Sequence, residues 1–251
     1  MEKIIAFANQ KGGVGKTTTC INLAAAMAVR GKKVFLVDLD PQGNATMGSG
    51  IDKNQLDHTV YDVLAEDVPV EQVILKHLKT GYDLLPANGD LTAAEVRLFS
   101  LLSRETILKR ALLPVEISYD YIFLDCPPSL SLLTVNALVA AEGVIVPMQC
   151  EYFALEGLSA LLATVQKIQE NLSPKLQIRG ILRTMHDPRN RLAGEVGDEL
   201  MQHFSDKVYT AIIPRNVRLA EAPSHGLPVV LYDPVSKGAK AYTELADEFL
   251  R

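Results

Sequence analysis

Ile4-Ile5-Ala6-Phe7-Ala8-Asn9-Gln10-Lys11-Gly12-Gly13-Val14-Gly15-Lys16-Thr17-Thr18 is the stretch on which the fold turns. Its first five residues are a continuous apolar run, the pattern of a strand covered on both faces. The glycines that follow let the backbone wrap closely, so that its N–H groups point inward. A helix is expected from Thr17 to Arg30, beginning near Lys16, and its N-terminus adds partial positive charge at the turn. Strand, glycine turn and helix start together make a phosphate cradle. Gly12, Gly13, Val14, Gly15, Lys16, Thr17 and Thr18 are therefore read as an ATP site. Lys16 should reach the β- and γ-phosphates, and the Thr17 hydroxyl should ligate Mg²⁺. The usual G-x-x-x-x-G-K-[ST] spacing is not met, because its first glycine falls at Gln10 and an additional lysine, Lys11, stands inside the loop.

Outward from this loop, further apolar runs predict strands at Val34 to Val37, Tyr82 to Leu85, Tyr121 to Leu124, Val144 to Pro147, Ile178 to Leu182 and Val208 to Ile213. Helix-length segments separate them. In Leu155 to Asn171, the residues Leu155, Leu158, Leu162, Val165 and Gln169 trace a mostly apolar stripe at helical spacing. Alternating strands and helices imply a three-layer α/β/α fold with a mostly parallel twisted sheet, joined by right-handed crossovers. Asp52 to Arg110 is expected to hold short helices. With 251 residues, 48% of them apolar, and no repeat or linker, the chain reads as one domain over 1–251.

The net charge of −5 means that any DNA role needs a local basic patch. No apolar run approaches the length of a membrane span, and the start has no signal-peptide core. Cys20, Cys126 and Cys150 are far apart, which fits a reduced compartment and a cytoplasmic location.

Two predicted strands run into aspartate, at Asp38-Leu39-Asp40 and at Asp125. In open α/β sheets ligands sit at the carboxyl ends of strands, so these side chains are placed to face the phosphates. Asp125, closing an apolar run, is read as holding Mg²⁺ through water, against the alternative of a helix cap. Asp38 is read as a structural neighbour directed away from Asp40.

Lys11-Gly12-Gly13-x-Gly15-Lys16-Thr17 resembles the deviant Walker family, which includes the ParA/Soj partition ATPases, MinD and the nitrogenase iron protein. Asp40-Pro41-Gln42-Gly43-Asn44-Ala45-Thr46, Asp125-Cys126-Pro127-Pro128-Ser129, the stretch Gln149 to Gly157 and the stretch Ile213 to Ser224 are similar to the ParA/Soj form, and the likeness spans essentially the whole chain. The resemblance implies that Lys11 crosses a dimer interface to the partner's nucleotide phosphates. It implies that Lys11, Lys16 and Asp40 are catalytic, Asp40 by positioning the attacking water. It places Pro214 and Asn216 against the adenine, with Asn216 offering both a donor and an acceptor. Among basic residues, Arg183, Arg189 and Arg191 cluster near His186, and Arg215, Arg218, Lys237 and Lys240 follow later. The resemblance assigns non-specific DNA binding by the ATP dimer to Arg189 and Arg218.

It further implies a ParB/Spo0J-type protein that stimulates hydrolysis, and nucleoid association in the ATP state. Because the likeness starts at Met1, the N-terminal DNA-reading domain of larger plasmid ParA proteins is expected to be missing, and site-specific operator binding with it. The C-terminal stretch Tyr242 to Arg251 is acidic, unlike the basic membrane helix of MinD-like proteins, so no membrane partner is expected. A MinD-like division-site ATPase and a metabolic P-loop kinase or ligase stand as the alternatives.

Overall fold

Residues 2–251 are described by a computed structural model of the chain; Met1, where the likeness was expected to start, lies outside the described residues. The first apolar run becomes β1 (Ile4–Phe7), all four residues buried. It is followed by α1 (Lys16–Val29), β2 (Val34–Asp38), α2 (Asn44–Gly48), α3 (Val60–Ala65), α4 (Val70–Val73), β3 (Asp83–Leu85), α5 (Leu91–Phe99) and α6 (Ile107–Glu116). The second half contains β4 (Tyr121–Asp125), α7 (Leu132–Ala140), β5 (Gly143–Gln149), α8 (Ala154–Asn171), β6 (Gln177–Thr184), α9 (Arg191–Phe204), α10 (Val217–Glu221), α11 (Val229–Tyr232) and α12 (Lys237–Phe249).

The strands form a single six-stranded sheet in the order β3-β2-β4-β1-β5-β6, every pairing parallel. Continuous apolar runs need cover on both faces, and two hydrophobic clusters supply it. One joins alternate sheet residues such as Ala6, Val37 and Leu124 to α3, α5, α6, α7 and α8. The other joins Phe7, Leu36 and Phe123 to α1 and α12. The alanines of α1, buried at Ala24, Ala25 and Ala26, let α12 pack closely over it. β1 sits at the middle of the sheet between β4 and β5, so the loop after it opens at the crevice where open α/β sheets bind ligands.

Two sequence expectations need correction. Val208 to Ile213 is not a strand. It lies along β6 but pairs with it only at the isolated Ile181–Val208 bridge, and again where Ile213 N–H donates to the Arg183 carbonyl. Between those points the N–H groups of Thr210 and Ala211 donate to the Glu248 carboxylate of α12, at 2.7 and 2.9 Å, and are lost to a ladder. In α8 the fully buried stripe is Ala154, Leu158, Leu161, Val165 and Ile168, with Leu155 and Leu162 at its half-buried margin. Gln169 does not pack there as an apolar residue would; its amide donates to the Leu176 carbonyl. No helix among the described residues is long and apolar enough to cross a membrane.

Candidate nucleotide site

The glycine turn after β1 carries φ of +72° at Gly13 and +85° at Gly15, a region where a side chain would be strained. Gly15 is the N-cap of α1, which has neither a side-chain cap nor an acidic residue in its first turn. Its leading N–H groups are therefore free for an anion. Two side chains that sequence reading passed over fix the loop to the sheet. Asn9 donates to the Pro147 carbonyl at 2.8 Å and accepts from the Lys11 N–H at 3.0 Å. Thr184, at the end of β6, donates to the Val14 carbonyl at 2.8 Å. The Val14 side chain is buried and contributes only its backbone.

The two lysines of the loop diverge. Lys16 is 6% exposed, and its Nζ folds back to the Lys11 carbonyl at 3.2 Å. Burial lowers its pKa, opposed by the nearby Asp125, Cys126 and Asp40. Lys11 points the other way, to the surface, where its Nζ lies 2.5 Å from Oε2 of Glu151.

Gly12, Gly13, Gly15, Lys16, Thr17 and Thr18 line a cavity of about 350 Å³ together with Asp40, Gln42, Asn44, Pro128 and Met185. Asp40 follows the end of β2, and its carboxylate accepts from the Gln42 N–H at 2.9 Å. Asp38 is structural: it accepts from the N–H groups of Asp40 and Thr46 and from the Thr46 hydroxyl. Strand alternation does not separate it from Asp40, since residues two apart share a face. The separation arises because β2 stops at Asp38 and the chain turns.

Asp125 is opposite Asp38 in the β2–β4 register. It is fully buried, and neither carboxylate oxygen has a hydrogen bond of normal geometry. Burial, and then the Asp38 charge, push its pKa well up, with the facing Thr17 hydroxyl offsetting only part. It caps no helix; the N-cap of α7 is Ser131. A buried carboxylate without partners is costly unless a cation compensates it. Thr17 and Asp125 thus fit a hard divalent cation, the hydroxyl directly and the carboxylate at one remove.

A second cavity, of about 230 Å³, adjoins the loop and is lined by Gly15, Thr18, Met185, Pro214, Asn216 and Tyr242 among others. It has the apolar walls a base ring needs. Asn216 brings less to it than expected: its Oδ1 caps α10 by accepting from the Arg218 N–H at 3.0 Å, so Nδ2 is its fully uncommitted group for a base edge and Oδ1 keeps one lone pair. Met185, held at φ +51°, lines both cavities and carried no recognisable sequence signal. The two arginines expected to meet DNA lie away from these cavities and are already paired. Arg189 grips Asp187 with Nε and Nη2 at 2.9 and 2.7 Å. Arg218 reaches Glu221 at 2.7 Å and Asp233 at 3.2 Å.

Comparison with known proteins agrees with this geometry. The profile of a family described as an AAA domain matches residues 2–178. The chain is 55% identical to the sporulation initiation inhibitor protein Soj of Bacillus subtilis, over 99% of this chain and 98% of that protein. It is 49% identical to the chromosome-partitioning ATPase Soj of Treponema pallidum, over 100% and 98%. A crystal structure of cobyrinic acid a,c-diamide synthase from Mycobacterium smegmatis with bound ADP and magnesium superposes with a TM-score of 0.87 at 40% identity, covering 100% and 95% of the two chains. With a phosphate loop carrying two lysines, a buried strand-end carboxylate behind it, and identity at this level over its full length, the chain belongs to the ParA/Soj family of P-loop ATPases.

Proposed function

We propose that this chain is a DNA-segregation ATPase of the ParA/Soj type. ATP drives two copies into a sandwich dimer, the dimer binds DNA without sequence preference, and hydrolysis stimulated by a ParB/Spo0J-type partner returns monomers. The observation that carries this reading is the divergence of the two lysines. Lys16 is enclosed beside the phosphate cavity, whereas Lys11 projects from the same loop to the surface, free to serve a second subunit once it leaves Glu151.

In this reading the N–H groups of Gly12 to Thr18 and the Lys16 ammonium hold the phosphates. Mg²⁺ held by Thr17 and, through water, by Asp125 would neutralise phosphate charge. Asp40, on the wall of the phosphate cavity, orients the attacking water. Lys11 then places a cation where negative charge builds on the partner's nucleotide. Pro214 and Asn216 hold the adenine, Asn216 as a donor. Arg189 and Arg218 serve DNA phosphates only by sharing or exchanging their present carboxylates.

A nucleoid rather than a membrane location is supported by α12. Tyr242, Leu245, Ala246 and Phe249 are buried in the core, and the Tyr242 hydroxyl pairs with Thr19 of α1 at 3.1 Å. An apolar face so used is not available to lipid, which counts against the MinD-like alternative. The kinase or ligase alternative draws on the likeness to the diamide synthase. Co-sedimentation with non-specific DNA in ATP, ADP and no nucleotide separates the three. Binding in ATP alone, abolished by Lys16→Ala, is the expected result. Vesicle binding without DNA binding would favour the MinD-like alternative, and ATP-dependent modification of an added carboxylic acid the ligase.

A further inference from the structure

Unlike Arg189 and Arg218, neither Arg183 nor Arg215 makes a side-chain ion pair among the described residues, although Arg215 lies near enough to Asp187 to act on its charge. Both Arg183 and Arg215 line a cavity of about 200 Å³ at the ends of β5 and β6, with Cys150, His186 and Asn190; it adjoins the base cavity, with which it shares Thr184, Met185 and Arg215. The Arg183 Nε is shut off from solvent and has no acceptor. Its Nη2 has only a long contact, 3.5 Å, to the Tyr209 carbonyl. A buried charged donor without an acceptor is expensive, and supplying the acceptor recovers that cost. Arg215 makes no side-chain ion pair with any described residue; its N–H donates to the His186 carbonyl. Asp187 is the only acid lining this space, and both its oxygens are held by Arg189. The cavity is therefore cationic, enclosed on the Arg183 side, and large enough for one tetrahedral oxyanion.

We propose that this cavity seats a single phosphate of the DNA backbone, gripped jointly by the guanidinium groups of Arg183 and Arg215. The inference rests on the DNA-binding reading above and moves its centre from the exposed, carboxylate-paired arginines to a built pocket. Planar guanidinium donors match phosphate oxygens in pairs, which a surface lysine does not. Arg189 acts here through Asp187: by holding that carboxylate, it keeps the seat from being neutralised.

The test is fluorescence anisotropy of a labelled mixed-sequence duplex in Mg-ATP, titrated from about 50 to about 300 mM KCl to obtain the slope of log K against log salt. At ATP concentrations shown by calorimetry to saturate each variant, since Arg215 also lines the base cavity, Arg183→Gln and Arg215→Gln are each expected to reduce the slope by about 0.9 per protomer of the dimer, the loss of one phosphate contact in each copy. Each should also weaken binding by about tenfold or more. The double variant should lose no more slope than either single, because both side chains serve one phosphate. Arg183→Lys, which keeps the charge, should retain the wild-type slope and guards against a fold defect in the Gln variant. Unchanged slope and affinity in both Gln variants, while the wild type binds DNA, would overturn the proposal. So would additive slope losses, which mean two phosphates rather than one seat. Inorganic phosphate that raises the melting temperature of the wild type but not of Arg183→Gln, with DNA slopes unchanged, would assign the seat to a free anion instead. Failure of the wild type to bind DNA in ATP would sink the functional reading itself.

Discussion

Replacing Asp125 by Asn is expected to stabilise the nucleotide-free protein and to remove its response to Mg²⁺. Asp125 and Asp38 are register partners on β4 and β2, both fully buried, and the oxygens of Asp125 have no hydrogen bond of normal geometry, only the facing Thr17 hydroxyl. Burial pushes the Asp38 pKa from 3.8 to about 6, despite the bonds from Thr46 and Asp40 that lower it. Asp125 is pushed well up by burial and by Asp38. Raised folded-state pKa values mean that the folded chain binds more protons than the unfolded chain. Ionisation therefore costs stability above the folded pKa, and the cost fades as pH falls through it toward the unfolded value. For Asp38 the interval from 3.8 to about 6, at about 1.4 kcal/mol per pKa unit, amounts to about 3 kcal/mol. Asp125 acts in the same direction. Asn keeps the shape and removes one charge, so a gain of about 1–3 kcal/mol is expected in the absence of cation. For a chain of this length that is several degrees in melting temperature, at roughly 2–4 °C per kcal/mol.

The assay is thermal melting in EDTA and in Mg-ATP, from about pH 8 to about pH 5. The wild type should gain stability as pH falls, the variant should show a flatter profile, and the two should differ most at the alkaline end. In Mg-ATP the order should reverse, because only the wild type offers the carboxylate to the metal's shell. A variant that melts below the wild type in EDTA at the alkaline end, or that keeps the full Mg²⁺-dependent gain, would refute the reasoning.

Other outcomes follow from the site. Asp40→Ala should bind ATP but hydrolyse it at least about a hundredfold more slowly, the usual scale of a lost acid–base or water-positioning group, and so accumulate as dimer; steady-state phosphate release at the wild-type rate would remove Asp40 from its role. Lys11→Ala should leave the melting temperature of the monomer nearly unchanged, because the Glu151 pair is two-fifths exposed on each side and worth about 0–1 kcal/mol. Light scattering should nonetheless find no dimer in ATP. Thr184→Val deletes the tie to the Val14 carbonyl and should weaken ATP binding by about 1 kcal/mol, roughly fivefold, measured by calorimetry with Asp40→Ala to suppress turnover.

The nucleotide loop was legible because its chemistry is local. Glycines at Gly13 and Gly15, a lysine and a threonine at a helix start act through their own backbone and need nothing distant to be recognised. The strands were legible for the same reason, their apolar runs being continuous. The misreading at Val208 to Ile213 shows where this stops. Its apolar content is that of a strand, but Glu248, near the far end of the chain, takes the N–H groups of Thr210 and Ala211. Asp38 was placed correctly as structural, though for the wrong reason, since the turn after β2 and not alternation directs it.

The fold class and the glycine loop with its two lysines could be read from neighbouring residues, because each is written locally. What those residues face was set in three dimensions. The tertiary structure set Asp125 against Asp38 with only the facing Thr17 hydroxyl to offset its charge, sent Lys11 to Glu151 rather than to the cavity, and used the oxygen of Asn216 in a helix cap. It also paired Arg189 and Arg218 with acids while leaving Arg183 and Arg215 without an ion pair around a cavity beside the base cavity. The physical reason is that charge and hydrogen-bond partners are chosen in space. Asp233, well along the chain, can hold Arg218, and a carboxylate on an adjacent strand can raise the pKa of Asp125, and neither relation is visible in neighbouring residues.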